Sequence, residues 1–444
     1  MSGALPFRPE RSSGRVAHPL AGSPRQVPKL SQYLPFALFY ILVCSVGITS
    51  LAEISLSVVL FPLVIYGYAS GAYGTALRML PGARRSMLAM LAIVLTMCAW
   101  DFVTAFGADS FVRVFRPLYG HATGLAIVLS VLALSRTEAA SRRTRAMCLV
   151  ILALSLATTY FVGPRGYSDR FPGLFKHPNQ LGLISAMGAL IFFNMAITSP
   201  LRKGLLYGAG LLASGWALLL SGSKTSLVVF AGLSLLSVPL LAFLHSDKRK
   251  AGLELYRNMG FALTALVAGA AILPFVSERA YTVLDSFVTG NQDVENYRTV
   301  TARSLLWEES WKMAETYPLT GVGAGQLMSD GTEHSHNVFM DAMRTTGFPG
   351  LGLTILFFIA VVFYIFSAYR AGQVLNSDPS SQLSDPTVRG VFVGSLVAML
   401  SYLLSNQMSD SFGPSTIPFF YMALAFSLAL FVRKADPLAS SPSR

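Results

Sequence analysis

The chain has 444 residues, of which 53% are hydrophobic and only 13% charged, with 34 Lys and Arg against 22 Asp and Glu. So few charged groups cannot cover so much apolar material with a water-facing surface, which excludes a soluble globular protein and points to many membrane-crossing helices. The formal charge of +12 is not a nucleic-acid patch either, because the cations concentrate in alternate connections between apolar runs, as a topology signal does.

In chain order, residues 1–31 carry Arg8, Arg11, Arg15, Arg25 and Lys29 among Pro, Gly and Ser, and are expected to form a disordered cytoplasmic tail. No small-residue cleavage site follows the first apolar run, so that run is expected to remain as a span. Reading stretches long enough to cross a bilayer, twelve spans are predicted: 32–50, 54–77, 86–106, 117–135, 146–163, 180–199, 204–221, 225–244, 258–276, 350–369, 388–406 and 414–433. The division is a membrane block at 32–276 with helices one to nine, a large outer loop at 277–349, a second membrane block at 350–433 with helices ten to twelve, and a cytoplasmic tail at 434–444. Cys44, Cys98 and Cys148 all lie in apolar runs and read as small buried hydrophobes.

Between spans five and six, "GPRGYSDRFPGLFKHPNQLG" places Arg165, Arg170 and Lys176 on the outer side, against the charge bias, with His177 and Asn179 at the entry to span six. Cations on that side ask for an anionic partner. A lipid-headgroup rim with Asn179 capping span six is one account, and a diphosphate site is the other. Between spans seven and eight, "SGSKTS" puts Lys224 at an outer turn. Alone it would snorkel to the interface, but with the other outer cations it could line a shared external cavity.

The outer loop contains "TARSLLWEESWKMAETYPLTG", which predicts an amphipathic helix on the membrane interface. Trp307 and Trp311 lie one turn apart as interface anchors, and Arg303 shares the face of Trp307. "GVGAGQ", residues 321–326, lacks a preceding strand and the dinucleotide spacing, so it is expected to be a flexible turn and not a nucleotide site. The stretch "EHSHNVFMDAMRTTGFPGLG" then brings His334 and His336 before Asn337, an N-cap for a short helix that stops at Gly347 and turns at Pro349 into span ten. His336 would stand at the positive end of that helix, as a ring able to accept a proton in general-base catalysis. Two histidines two apart with no third firm ligand do not make a metal site.

These last segments resemble the R-x-x-x-W, P-x-x-G-x-G and H-N with trailing G-x-x-G pattern of the O-antigen ligase and polymerase superfamily. The resemblance implies an all-α polytopic fold of about twelve transmembrane helices, GT-C-type, in the bacterial inner membrane, with both termini cytoplasmic and the active site periplasmic. It implies an inverting glycosyltransferase that needs neither metal nor cofactor. Its partners would be an undecaprenyl-diphosphate-linked glycan donor, a glycan or lipid-linked acceptor, the lipid bilayer and polysaccharide export or chain-length proteins, with no nucleic acid. By position, His336 is similar to the family's loop histidine, proposed as base, and Arg303 to its loop arginine, proposed to hold the donor diphosphate. Lys224 stands where many ligases place an arginine and lacks the planar fork. Arg165, Arg170, Lys176, His177, Asn179, His334 and Asn337 complete the expected substrate-binding set. "GLFKHPNQLG" and "SGSKTS" are more similar to the branch that polymerises exopolysaccharide repeats than to lipid A core ligases. A ligase, and a carrier for an anionic or lipid-linked substrate, stay open as alternatives.

Overall fold

The computed structural model describes residues 84–107, 111–135, 138–162, 171–244, 294–376, 382–406 and 416–429, apart from positions 174, 176, 324, 325, 330, 332 and 333, together with a few isolated helical positions elsewhere. All regular structure among the described residues is helical. Ten α-helices follow in order: α1 (Arg84–Thr104), α2 (Phe111–Leu134), α3 (Glu138–Val162), α4 (Pro178–Thr198), α5 (Leu201–Ser221), α6 (Lys224–Phe243), α7 (Val294–Thr316), α8 (Val338–Asn376), α9 (Pro386–Asn406) and α10 (Ile417–Ala429).

Six of these, α1, α4, α5, α6, α8 and α9, are long and apolar enough to cross a membrane, and two shorter apolar stretches, Gly120–Leu132 and Ile417–Ala429, accompany them. The protein is therefore a multi-pass membrane protein by length and composition. The expected spans at 32–50, 54–77 and 258–276 fall outside the described residues, as do Arg165, Arg170 and Lys176.

Sequence composition separates central from peripheral helices. Helices α4, α9 and α10 are apolar on every side and buried almost throughout, as helices lacking a polar face must be if they are to sit inside a bundle. Helices α5 and α6 flank α4, α9 contacts α4, α6 and α10, α2 packs on α10, and α1 packs on α8. Outward-facing Leu205, Leu212, Val228, Leu235, Ile355, Ile359, Val362 and Phe366 are exposed large apolar side chains, as lipid contact requires. Polar residues inside the bundle bond their own helix: Asn194 Nδ2 donates to Leu190 O at 2.8 Å, Ser214 Oγ to Gly210 O at 2.8 Å and Ser395 Oγ to Val391 O at 2.6 Å. Such back-bonding satisfies a hydroxyl or amide without water.

Glycines set the closest approach. Gly390 and Gly394, four apart on α9, face the backbone of α4 at Asn194 and Ile191, the small-residue packing that brings membrane helices together. Because the start of α9 meets the end of α4, these two helices are antiparallel. The end of α8 lies beside the start of α9, where Gly372 abuts Phe392, and Tyr369 Oη donates to Leu240 O near the end of α6 at 3.0 Å. The starts of α4, α6 and α8 therefore share the opposite end of the bundle. Trp100 Nε1, donating to Thr346 O at 2.9 Å, brings the end of α1 there. The ring of Phe175 against Phe419, 6.1 Å between centroids, adds the start of α10.

Candidate functional site

That shared end carries every candidate residue that the structure describes. Helix α7 begins at Val294, earlier than the apolar pattern suggested, and buries Leu306, Ser310 and Ala314 while packing on α8. Its opposite face is solvated: Lys312 Nζ and Glu308 Oε1 are 2.7 Å apart, which draws the Glu308 carboxyl below its ordinary range and raises the Lys312 ammonium. An exposed pair one turn apart adds little stability.

The two tryptophans of α7 divide their work. Trp311 is exposed and stacks edge-on against Phe348, 6.0 Å between centroids. Trp307 differs from the interface anchor expected of it: its Nε1 donates to Ser335 O at 2.9 Å. It is a clamp on the histidine loop. One turn earlier on the same helix, Arg303 is half-buried and shares the side of α7 that carries Trp307.

The first half of "GVGAGQ", residues 321–323, is likewise pinned, in place of the flexible turn expected there. Val322 N donates to Arg344 O at 2.9 Å, Gly323 N to Thr345 O at 3.1 Å and Phe348 N to Pro318 O at 2.8 Å. Gly321 and Gly347 both have positive φ, 63° and 72°. A Cβ on Gly321 would lie 2.5 Å from Arg344 O, and one on Gly347 would lie 2.6 Å from Leu319 C. The glycines of both motif segments thus let two backbones cross in contact, which is a packing role. Further along, Glu309 accepts from Ser329 N at 2.7 Å and from Ser329 Oγ at 2.8 Å, tying the loop to α7.

His336 is the one non-glycine residue with positive φ among the described residues, at 58°. An L-residue there costs about 1 to 2 kcal/mol and persists where its surroundings over-determine it. The neighbours of His336 do so. Ser335 N donates to Asp341 Oδ1 at 2.7 Å, Ser335 O accepts from Trp307, and Ser335 Oγ donates to Asn337 O at 3.1 Å. Asn337 caps α8 through Oδ1, accepting from Phe339 N at 2.9 Å and Met340 N at 3.2 Å. Removing that cap by Asn337→Ala should cost about 1 kcal/mol, read as a fall in the thermal midpoint of the purified chain, with Asn337→Asp retaining most of it. His336 itself is half-buried.

Asp341 and Arg344 were not among the residues singled out from the sequence. Both are buried, at 4% and 1% exposure. Arg344 Nη2 lies 3.7 Å from Asp341 Oδ1, and Arg344 Nη1 donates to Gln326 O at 2.7 Å. The available signal was an Asp and an Arg three apart in "VFMDAMR", one helical turn, just before a long apolar run.

A second group gathers at the start of α4. His177, not Asn179, is the N-cap: its Nδ1 accepts from Asn179 N at 3.2 Å, and Pro178 opens the helix. The turn between α5 and α6 sits against it, since a Cβ on Gly182 would meet Ser221 and Ser223. Phe171 N donates to Leu220 O at 3.1 Å. Lys224, half-buried in the first turn of α6, is thereby brought to the same corner as His177 and Asn179, forty-five or more positions earlier in the chain.

Residues 209–355 match the family model described as O-antigen ligase. That segment runs from within α5 to within α8 and holds Lys224, Arg303, His334, His336 and Asn337. The chain is also 29% identical over 286 residues to the exopolysaccharide production protein ExoQ of Rhizobium meliloti, covering 58% of this chain and 61% of that protein. The two findings support placing the chain among O-antigen ligase and polymerase-like proteins.

Proposed function

We propose, from a chain placed among O-antigen ligase and polymerase-like proteins, that it is a glycosyltransferase of the bacterial inner membrane. It joins undecaprenyl-diphosphate-linked glycan repeat units on the periplasmic face. The observation that carries this reading is the conformation of His336, held left-handed between a buried carboxylate and an indole, at the bundle end that also presents Arg303, Lys224 and His177.

In this reading His336 removes the proton from an acceptor sugar hydroxyl. The hydroxyl oxygen forms a bond to the anomeric carbon of the donor glycan. The bond from that carbon to the diphosphate breaks, and its electron pair leaves with the polyprenyl diphosphate. Configuration at the anomeric carbon inverts. Arg303 and Lys224 counter the charge on the departing diphosphate, the guanidinium by a planar fork and the ammonium as a point charge, while His334, Asn337, His177 and Asn179 line the approach, and Arg165, Arg170 and Lys176, outside the described residues, are assigned to substrate binding from the sequence alone. The reaction needs no metal or cofactor.

The likeness to an exopolysaccharide production protein favours polymerisation of repeat units over ligation of a finished glycan to lipid A core. The test is His336→Ala and Arg303→Ala in cells lacking the native copy, with surface glycan and lipid-linked intermediates resolved on gels. Loss of a general base should lower transfer by about 10² to 10⁴-fold. Single repeat units accumulating on the lipid carrier indicate a polymerase, and long polymer stranded on the carrier indicates a ligase. Intermediates held on the inner leaflet would instead indicate a carrier, and normal surface glycan in both variants would end the transferase reading.

A further inference from the structure

We infer that Asp341 is the positioning residue of the histidine loop, acting on His336 through the Ser335 backbone. This inference rests on the reading of His336 as a base. Asp341 lies in the first turn of α8, and its carboxylate points back to the loop that precedes the helix. Oδ1 receives the Ser335 amide at 2.7 Å, a charge-assisted bond in a buried place. The amide belongs to the residue immediately before His336, and the carbonyl of that same residue is taken by Trp307. With N–H and C=O of residue 335 both held, and Asn337 held by its own cap, the backbone at 336 has little freedom left except the left-handed one it adopts.

Arg344 has the complementary task. One turn along α8, with 1% exposure, it lies 3.7 Å from Asp341 Oδ1 and is itself fixed by Gln326 O. A buried charge left without a partner costs stability, and Arg344 supplies that partner to the carboxylate that holds the amide. The second oxygen, Oδ2, lies 3.9 Å from His334 Nδ1, too long for a hydrogen bond. Asp341 therefore faces the two residues that precede His336 and holds Ser335 by a hydrogen bond. Asp341 is not placed against the reacting atoms. Its influence on transfer runs through where it puts the imidazole.

The test uses the full chain in detergent with Asp341→Ala and Asp341→Asn, the second keeping an acceptor oxygen for the Ser335 amide. Two readouts are taken: kcat and KM on lipid-linked intermediates extracted from cells lacking the chain, and hydrogen exchange of the peptide over residues 333–342 against that over 350–370. For Asp341→Ala the expected result is a fall in kcat of roughly 10²-fold, the loss typical of a misplaced catalytic group, with KM within about twofold because donor-binding cations are untouched. Exchange should rise at 333–342 and stay unchanged at 350–370. Asp341→Asn should recover loop protection and much of kcat. Unchanged exchange at 333–342 in Asp341→Ala would overturn the inference, and so would faster exchange across both peptides, the mark of a general structural role. If the wild-type chain transfers nothing, the transferase reading fails, and if His336→Ala is fully active, the reading of His336 as base fails, while in either case the exchange arm still decides whether Asp341 sets the loop.

Discussion

Gly347→Ala, the addition of one methyl group, is expected to undock the segment that joins α7 to α8 and abolish the proposed glycan transfer while the membrane bundle stays folded. Gly347 has φ 72° and ψ −173°, a region populated essentially by glycine alone. Any side chain there is strained before it touches a neighbour. It also touches one: the new Cβ would lie 2.6 Å from Leu319 C and O and 2.7 Å from Pro318 O, backbone atoms that cannot rotate away. Strain of about 1 to 3 kcal/mol and overpacking of about 1 to 3 kcal/mol fall on a junction held by a few loop hydrogen bonds, including Phe348 N to Pro318 O at 2.8 Å and Val322 N to Arg344 O at 2.9 Å. The cost therefore exceeds what the junction can absorb. Transfer assays and hydrogen exchange over residues 317–347 measure the outcome. Gly352→Ala is the internal control, since a Cβ at that position meets nothing within 4 Å and removes a helical glycine, a gain of about 1 kcal/mol. A Gly347→Ala chain with wild-type exchange and transfer would show that the crossing is not needed.

Gly394→Leu is expected to act at the other level and prevent the bundle from assembling. On α9 a Cβ at residue 394 would sit 2.8 Å from Ile191 Cα and 3.2 Å from Ile191 O, and its neighbour Gly390 lies as close to Asn194 O, at 2.6 Å. Helices in lipid associate through such contact, because hydrocarbon tails already solvate apolar side chains and offer no hydrophobic penalty for separation. Forcing α9 away from α4 gives up packing between the two most extensively buried membrane-length helices among the described residues, and we expect a loss of about 3 kcal/mol or more. Yield and monodispersity of the detergent-extracted chain measure this. Gly232→Leu on α6 provides the contrast: that position is exposed and has nothing within 4 Å of its Cβ, so a leucine there should be accommodated at the lipid face. Equal behaviour of the two leucine variants would contradict the packing argument.

The two predictions separate the functions of glycine in one chain. In the outer loop a positive φ and a backbone crossing make glycine obligatory for conformation and space together. In α9 the backbone is ordinary helix, and space alone decides. From the sequence, "GVGAGQ" reads as a flexible turn and Gly347 as the stop of a short helix, and their pairing across the loop could not be read, because nothing in either segment encodes which other backbone will lie 2.5 Å away.

Much of the architecture was legible in the amino-acid order because hydropathy is a local property. Apolar runs marked the helices near 84–104, 178–198, 201–221, 224–243 and 386–406 to within a few residues. Asn337 could be recognised as a cap, and Pro349 with Gly347 as a turn, because capping and φ preferences act over a few positions. What the order of residues could not decide was every relation across the chain. Trp307 was read as a lipid anchor from its helical face, yet its indole nitrogen found Ser335, 28 positions away. His177 displaced Asn179 as the cap of α4 because the proline between them opens the helix. Asp341 and Arg344 carry no mark in the sequence beyond their spacing, and only tertiary structure buries both against the histidine loop. Composition thus determined that this is a helical membrane protein with a polar loop rich in chemistry. Only folding decided which way that loop's imidazole is set, since the left-handed backbone at His336 is kept by Asp341 and Asn337 from the helix that follows it together with Trp307, which α7 brings to it.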